Sequence, residues 1–385
     1  MQVYFDNSAT TKPYPEVIAT FTEVMKTYYG NPSSLHALGL EAEKLLARSR
    51  EVIADVLEVG EDELIFTSGG TESINLAIQG VAFRYKQRGR HIITSAIEHA
   101  AVYNTCQRLA KDFGFEVTYL PVDGDGLISL EDLQSALRDD TILVSLIHVN
   151  NEMGSIQPVE QVGKLLHKYP KVLFHVDHVQ GFGKVPLEIK KCHIDLLSLS
   201  GHKFHAPKGV GLLYVRKGVE LYPLLHGGGQ QHGLRSGTEN VPGWVALAKA
   251  CRMVKEKERE NIAHLKKLNR LLRKGLGQLE QVRINTPADE AKGAPHILSI
   301  SIKGAKPEVI LHALEERGIY LSTRSACSSK DTKTNRILTA LGLPEEYANS
   351  ALRISLSAEN TAEEVEYFLK VMQEIVPYYT KIMKV

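Results

Sequence analysis

Between residues 64 and 215, short apolar runs alternate with stretches of helical periodicity. Residues 91–95, 116–120, 141–148, 172–177, 196–200 and 210–215 read as strands, and 100–113 and 159–169 as helices between them. Such alternation predicts a mostly parallel sheet covered by helices. The close spacing of the last two strands leaves room for one antiparallel member. Beyond residue 241 the texture changes. Residues 245–279 form one long helical stretch in which Ile262, Leu265, Leu268, Leu272 and Leu276 recur at near-helical spacing, so one face is buried. The charged run from Lys255 to Glu260 is read as its solvated face. A strand at 297–302 and helices at 307–317 and 362–372 then suit a smaller α+β domain. The expected division is a segment 1–14 packing with the small domain, a large domain at 15–255 and a small domain at 256–385.

At 385 residues the chain exceeds one comfortable core, in keeping with two domains. A hydrophobic content of 43% and a charged content of 24% are ordinary for a soluble protein. The net charge of +1 gives no global field toward nucleic acid or an anionic membrane, and neither is expected as a partner. The start of the chain carries no basic region followed by an apolar stretch, so no signal peptide is expected. Cys106, Cys192, Cys251 and Cys327 lie far apart, a pattern that suits a reducing cytoplasm rather than a disulfide framework or a zinc site.

Candidate chemistry gathers at strand ends. The apolar run Leu196-Leu197-Ser198-Leu199 stops in Ser200-Gly201-His202-Lys203. A lysine at the end of a buried strand is desolvated, which lowers its pKa and frees the amine to attack a carbonyl. Asp177 ends another strand, where carboxylates of open α/β sheets point into the ligand crevice and can pair with a protonated ring nitrogen. Thr67-Ser68-Gly69-Gly70-Thr71 leads from a strand into a helical pattern, so free backbone N–H groups and the helix dipole make an anion site, to which Thr71 adds a hydroxyl. No Gly-Lys-Ser/Thr closes it, so it is not a nucleotide-binding loop of the Walker type. His226-Gly227-Gly228-Gly229 suggests an esterase oxyanion loop, but the chain has no G-x-S-x-G elbow and that reading is rejected. His226 and His232 lack a nearby carboxylate or cysteine in sequence, and no metal is expected.

Phosphate cradle, ring-nitrogen partner and aldehyde-capturing lysine, in this order, resemble the fold-type I pyridoxal phosphate enzymes. The similarity is closest to cysteine desulfurases of the NifS/IscS type, in the class V aminotransferase group. It runs over nearly the whole chain, through Tyr4-Phe5-Asp6-Asn7-Ser8-Ala9-Thr10-Thr11, Gly30-Asn31-Pro32-Ser33-Ser34, Glu98-His99, Asn150-Asn151-Glu152, Arg235-Ser236-Gly237-Thr238, Ser325-Ala326-Cys327-Ser328-Ser329 and Leu352-Arg353-Ile354-Ser355.

The resemblance implies roles residue by residue. Lys203 would carry the cofactor, and Asp177 would hold its pyridinium. His99 would stack on the ring and take part in proton transfer. Gln180 would bond the phenolic oxygen, with Asn151 near the cofactor and the substrate carboxylate. Gly70, Thr71, Ser200 and His202 would contact the phosphate, and Thr238 would reach the phosphate of a neighbouring subunit, which implies a homodimer. Arg353 would anchor the carboxylate of L-cysteine through its planar fork, and Cys327 would be the nucleophile that takes the sulfur. The sulfur would pass to an acceptor protein, an iron–sulfur scaffold or a tRNA- or cofactor-thiolating enzyme. Another class V enzyme, such as a selenocysteine lyase or an aminotransferase, and a non-catalytic scaffold are the alternatives. The chain departs from the family pattern at Arg324, usually glycine, at His178, usually small, and at His205-Ala206, usually Tyr-Gly.

Overall fold

The computed structural model describes residues 1–323 and 336–382. In chain order its strands are β1 (Val3–Tyr4), β2 (Leu64–Thr67), β3 (His91–Ser95), β4 (Glu116–Leu120), β5 (Thr141–Ile147), β6 (Leu173–Asp177), β7 (Leu196–Ser200), β8 (Gly211–Val215), β9 (Val282–Ile284), β10 (Ile297–Ile302), β11 (Ile319–Tyr320) and β12 (Ala351–Ser355). Its helices are α1 (Pro15–Thr27), α2 (Ala37–Leu57), α3 (Gly70–Tyr85), α4 (Ala100–Phe113), α5 (Leu130–Ala136), α6 (Val159–Leu166), α7 (Val241–Glu256), α8 (Glu258–Leu276), α9 (Pro307–Glu315), α10 (Arg336–Ala340), α11 (Glu345–Ala348) and α12 (Ala362–Ile382).

The main sheet has seven strands in the order β2-β8-β7-β6-β5-β3-β4. All its pairings are parallel except those of β8, which runs against both β2 and β7. The parallel alternation and the single antiparallel strand both follow the sequence reading. β6 and β7 lie side by side, with Asp177 paired to Ser198, so the carboxylate and the turn that follows Ser200 meet at one sheet edge. Parallel strands buried on both faces need continuous apolar runs, and β5, β6 and β7 are buried at every position.

A second, three-stranded sheet, β12-β10-β9, is antiparallel. Its core joins Leu298, Ile300, Leu352 and Phe368 to Val3 and Phe5 from the start of the chain. β1 pairs in parallel with β11, which places the N-terminal segment against this second body.

The long helical stretch is a correction: it is two helices, α7 and α8, broken at Lys257. Trp244, Leu247 and Val254 of α7 pack in the core of the main sheet, with Trp244 stacked on Phe66 at 4.7 Å between centroids. The leucines of α8 pack in the core of the second sheet instead. One straight helix cannot bury its stripe in two differently placed cores, and the break falls in the charged run between them. The last helix continues past residue 372 to Ile382, with Pro377 inside it.

Candidate active site

The helix α3 begins at the end of β2 with Gly69 as its cap and Gly70 at its first position. Gly69 is required by its φ of 152°, and Gly70 by close approach. A Cβ on Gly70 would lie 2.9 Å from Val179 Cγ2, and one on Gly211 would lie 2.5 Å from the Gly69 Cα. The helix N-terminus is thereby pressed against the ends of β6, β7 and β8, with the buried Ser200 hydroxyl beside it and Thr71 exposed at its mouth. Glu72 in the first turn accepts from Ser68 N–H and pairs with Arg235 at 2.9 Å, which leaves the other first-turn N–H groups for an anion.

Lys203 closes the short helical turn after β7. Its ammonium donates to the carbonyls of Ser8 at 2.6 Å and Ala9 at 2.9 Å. The segment 8–14 lies over this turn. Thr11 N–H donates to His202 O, His202 shares a hydrogen bond with the Thr10 hydroxyl, and His205 stacks on Tyr14 at 4.1 Å while donating to Lys12 O.

Asp177 is buried and accepts from Val179 N–H at 3.0 Å. Burial pushes its carboxyl up to about 6, against the pull of that N–H and of the nearby Lys203 ammonium. His99 caps α4, its Nδ1 accepting from Ala101 N–H at 3.1 Å, which leaves the proton on Nε2. Burial first, then the charges of Lys203 and Arg336, hold the ring down at about 4, so it is neutral. Burial, with Lys203 again contributing, holds His202 near 4. The same ammonium is thus felt by Asp177, His99 and His202, and the structure brings these predicted residues together.

Gln180 donates its amide to Ser8 O at 3.0 Å and leaves Oε1 buried without a partner. Asn151 Oδ1 is likewise buried without a partner. Arg353, almost fully buried, donates from Nη1 to Asn151 O at 2.9 Å and from Nη2 to Asp6 at 2.8 Å, with Nε unpartnered. The chain's two ends meet at Ser8, whose carbonyl takes Lys203 and Gln180 and whose N–H donates to the Ser355 hydroxyl.

Two predicted residues are not gathered here. Thr238 is exposed on the loop before α7, and Cys327, with Arg324, lies outside the described residues. Other groups escaped the sequence reading. Lys184 is buried and donates to the Lys203 carbonyl at 2.8 Å; burial, then the charge of Lys203, brings it down to about 7. Asp6 stood in a quoted motif with no role, and nothing local marks it as the partner of Arg353. His178, one of the departures, meets His148 with their Nδ1 atoms 2.8 Å apart, so one ring donates to the other. Both are held well below the ordinary range by burial. His226 and His232 are exposed, and no group of three metal-binding side chains occurs among the described residues.

This donor set fits pyridoxal phosphate. A glycine-pressed helix N-terminus suits the phosphate, a buried carboxyl short of a cation suits the pyridinium, and the unpartnered amide atoms of Gln180 and Asn151 face no competing bond.

Comparison with known proteins agrees. The family model for aminotransferase class-V matches residues 3–368. A cysteine desulfurase IscS of Methanosarcina thermophila is 45% identical over 374 residues, 97% of this chain and 92% of its own. Among solved structures, a NifS-like protein superposes with a TM-score of 0.92 at 43% identity, covering 98% of this chain and all (100%) of that one. SspA in complex with cysteine superposes with a TM-score of 0.81 at 35% identity, covering 94% of this chain and 100% of that one. The fold is that of the fold-type I pyridoxal phosphate enzymes. Among the described residues no helix is long and apolar enough to cross a membrane.

Proposed function

Because the chain belongs to the class-V aminotransferase family, we propose that it is a pyridoxal phosphate-dependent cysteine desulfurase. It takes L-cysteine to L-alanine and leaves the sulfur as a persulfide on Cys327, for transfer to an acceptor protein. One observation carries this reading: Lys203, Asp177 and His99, from three separate strand ends, lie within electrostatic reach of one another.

When bound, pyridoxal phosphate supplies the electron sink that acidifies the α-proton of an amino acid attached to it. Asp177 would keep the ring nitrogen protonated, and Gln180 would bond the phenolic oxygen. The α3 N-terminus, Thr71, Ser200 and His202 would hold the phosphate. Neutral His99 would face the ring and relay protons. Lys203, released from its anchoring role by substrate, takes the α-proton as base. Arg353, with Asn151 beside it, takes the substrate carboxylate; its unpartnered Nε supports this role. The Cys327 thiolate attacks the substrate sulfur. A sulfur–sulfur bond forms as the carbon–sulfur bond breaks and the bonding pair stays with carbon; one proton adds there to make the methyl group, and Lys203 returns the α-proton to complete alanine.

The enzyme is a cytoplasmic homodimer in this reading, divided into domains at 14/15 and 255/256. The exposed Thr238 supports a shared site, as do the exposed apolar side chains of Tyr29, Leu35, Leu38 and Leu40 around the α1–α2 turn. The active enzyme should sediment as a dimer; full activity in a monomer overturns this part.

The main test is borohydride reduction of the holoenzyme followed by peptide mapping, with the cofactor expected on Lys203 and nowhere else. An adduct on another lysine sinks the assignment. In Cys327→Ala, L-cysteine should still change the cofactor absorbance while alanine formation collapses. Near-normal desulfuration by that variant removes Cys327 from the reaction.

A further inference from the structure

His99 stands at the end of a turn that other parts of the chain hold in place. Between β3 and α4 lie Ala96, Ile97 and Glu98, and each of their carbonyls is taken by a side chain from elsewhere. Arg336, the first residue of α10, donates to the carbonyls of Ala96 and, at 2.5 Å, of Glu98. Asn150 donates to Ile97 O at 2.8 Å. The Arg336 guanidinium also lies 4.1 Å from the ring centroid of Tyr103 on α4, the helix that His99 caps. Ile97 is buried against Ile337, Leu338 and Leu341, which follow Arg336, and against Met153. One planar fork therefore spans both sides of Ile97 and touches the helix that begins after His99. A lysine can reach two carbonyls from its single nitrogen, as Lys203 does, but it lacks two nitrogens fixed in one plane to span them.

We propose that Arg336 is a positioning residue for the reaction, acting through the Ala96–Glu98 turn to place the His99 ring against the cofactor. This inference rests on the cofactor reading above. The charged and titratable groups around the guanidinium are His99 itself, Glu98, whose carboxyl is buried and bonded to the Ser95 hydroxyl and Ile147 N–H, and Glu152, Tyr103 and Tyr119. Among the described residues none forms an ion pair with Arg336, so its bonds go to backbone. A guanidinium whose two backbone hydrogen bonds both fall on one turn is suited to fixing the geometry of that turn.

The test uses the holoenzyme and compares Arg336→Met, which keeps the stem and loses the donors, with Arg336→Gln, which can still bond one carbonyl. The cofactor should remain bound. Its visible circular dichroism, which reads the asymmetry of the ring's surroundings, should change in both variants. In Arg336→Met kcat should fall about tenfold or more, as expected when a reacting group is displaced by a fraction of an ångström, while KM for L-cysteine stays within about twofold. Arg336→Gln should lie between that variant and the natural protein. In a His99→Ala background, Arg336→Met should cost no further rate, because the path it acts through is gone. Unchanged dichroism and kcat in either folded variant overturn the proposal, and so does a full additional loss in the His99→Ala background. If Arg336→Met does not fold, the Gln variant decides alone. Failure of the natural protein to take up pyridoxal phosphate on Lys203 would instead sink the underlying reading.

Discussion

The floor of the site and its wall hold their charges in opposite ways. The floor is the edge where β2, β6 and β7 end, carrying Gly70, Asp177 and Lys203. There the buried Asp177 accepts from a backbone N–H, and burial pushes its carboxyl up to about 6. The wall is built where the second sheet meets the start of the chain. There Arg353 already has its counter-ion, with Asp6 at 2.8 Å. A buried carboxyl lacking a bonded cation is costly unless a ligand supplies one. The floor is thus prepared for a cationic ring nitrogen, whereas the wall is electrostatically complete and meets a substrate carboxylate only through the spare Nε of Arg353 or by giving up Asp6.

Paired substitutions break this comparison if it is wrong. Asp177→Asn removes the proposed partner of the ring nitrogen without changing the shape of the side chain. The kcat for alanine formation should fall by about 10²–10³-fold, the scale of losing one preorganised electrostatic contact, while borohydride still fixes the cofactor on Lys203. Asp6→Asn leaves the buried Arg353 without its counter-ion. Its main effect should be on stability, about 3 kcal/mol in urea unfolding, with kcat changed less than tenfold. If Asp6→Asn slows turnover more than Asp177→Asn, the assignment of floor and wall is reversed.

The same division decides what could be read from sequence. Asp177 ends an apolar run, Lys203 follows one and Gly69-Gly70 joins a strand to a helix, so each floor residue is announced by its immediate neighbours. The strands expected from 91 to 215 lie within one residue of those observed, because fully buried parallel strands leave uninterrupted apolar runs. Of the wall, only Arg353 is announced locally, by the apolar neighbours that demand a partner for its guanidinium; the partner itself is not. Asp6 and Arg353 are 347 positions apart, and the Arg336 carbonyl bonds span 240 and 238. Lys184 looks like any lysine after a glycine until the fold lays it under the Lys203 carbonyl. The break between α7 and α8 was hidden for a related reason: apolar periodicity records that a face is buried, not which core it enters. Thr238 was legible only through family resemblance, and the role proposed for it requires a second chain.

A smaller effect, in pH, sharpens the picture of the floor. Burial holds His99, His148, His202 and His205 near 4 and His175 near 3, against an ordinary value of 6.5. Between pH 6.5 and 4 the unfolded chain binds protons that the folded chain refuses. The stability these rings confer is therefore present above pH 6.5 and lost as pH falls toward 4. Glu98, pushed up to about 8 by burial, and Asp177 have the opposite sign: the folded chain keeps protons that the unfolded chain has released, so their contribution is lost as pH rises. Five rings against two carboxyls leave a net fall on acidification. Each group titrating only in the unfolded chain adds a slope of up to about 1.4 kcal/mol per pH unit. His175 is the sharpest probe, because its ring bonds only to the hydroxyls of Ser145 and Ser198, at 2.8 and 2.9 Å, inside the sheet beneath Asp177. In urea unfolding of the protein stripped of cofactor, His175→Gln should reduce the acid slope between pH 6 and 4 by about that amount. Glu98→Gln should do the reverse, stabilising the protein at pH 7–8 and steepening its loss on acidification. A slope unchanged in both variants would mean that these buried groups take or release their protons as freely in the folded chain as in water, and the floor would then not be the dry, cation-seeking surface described above.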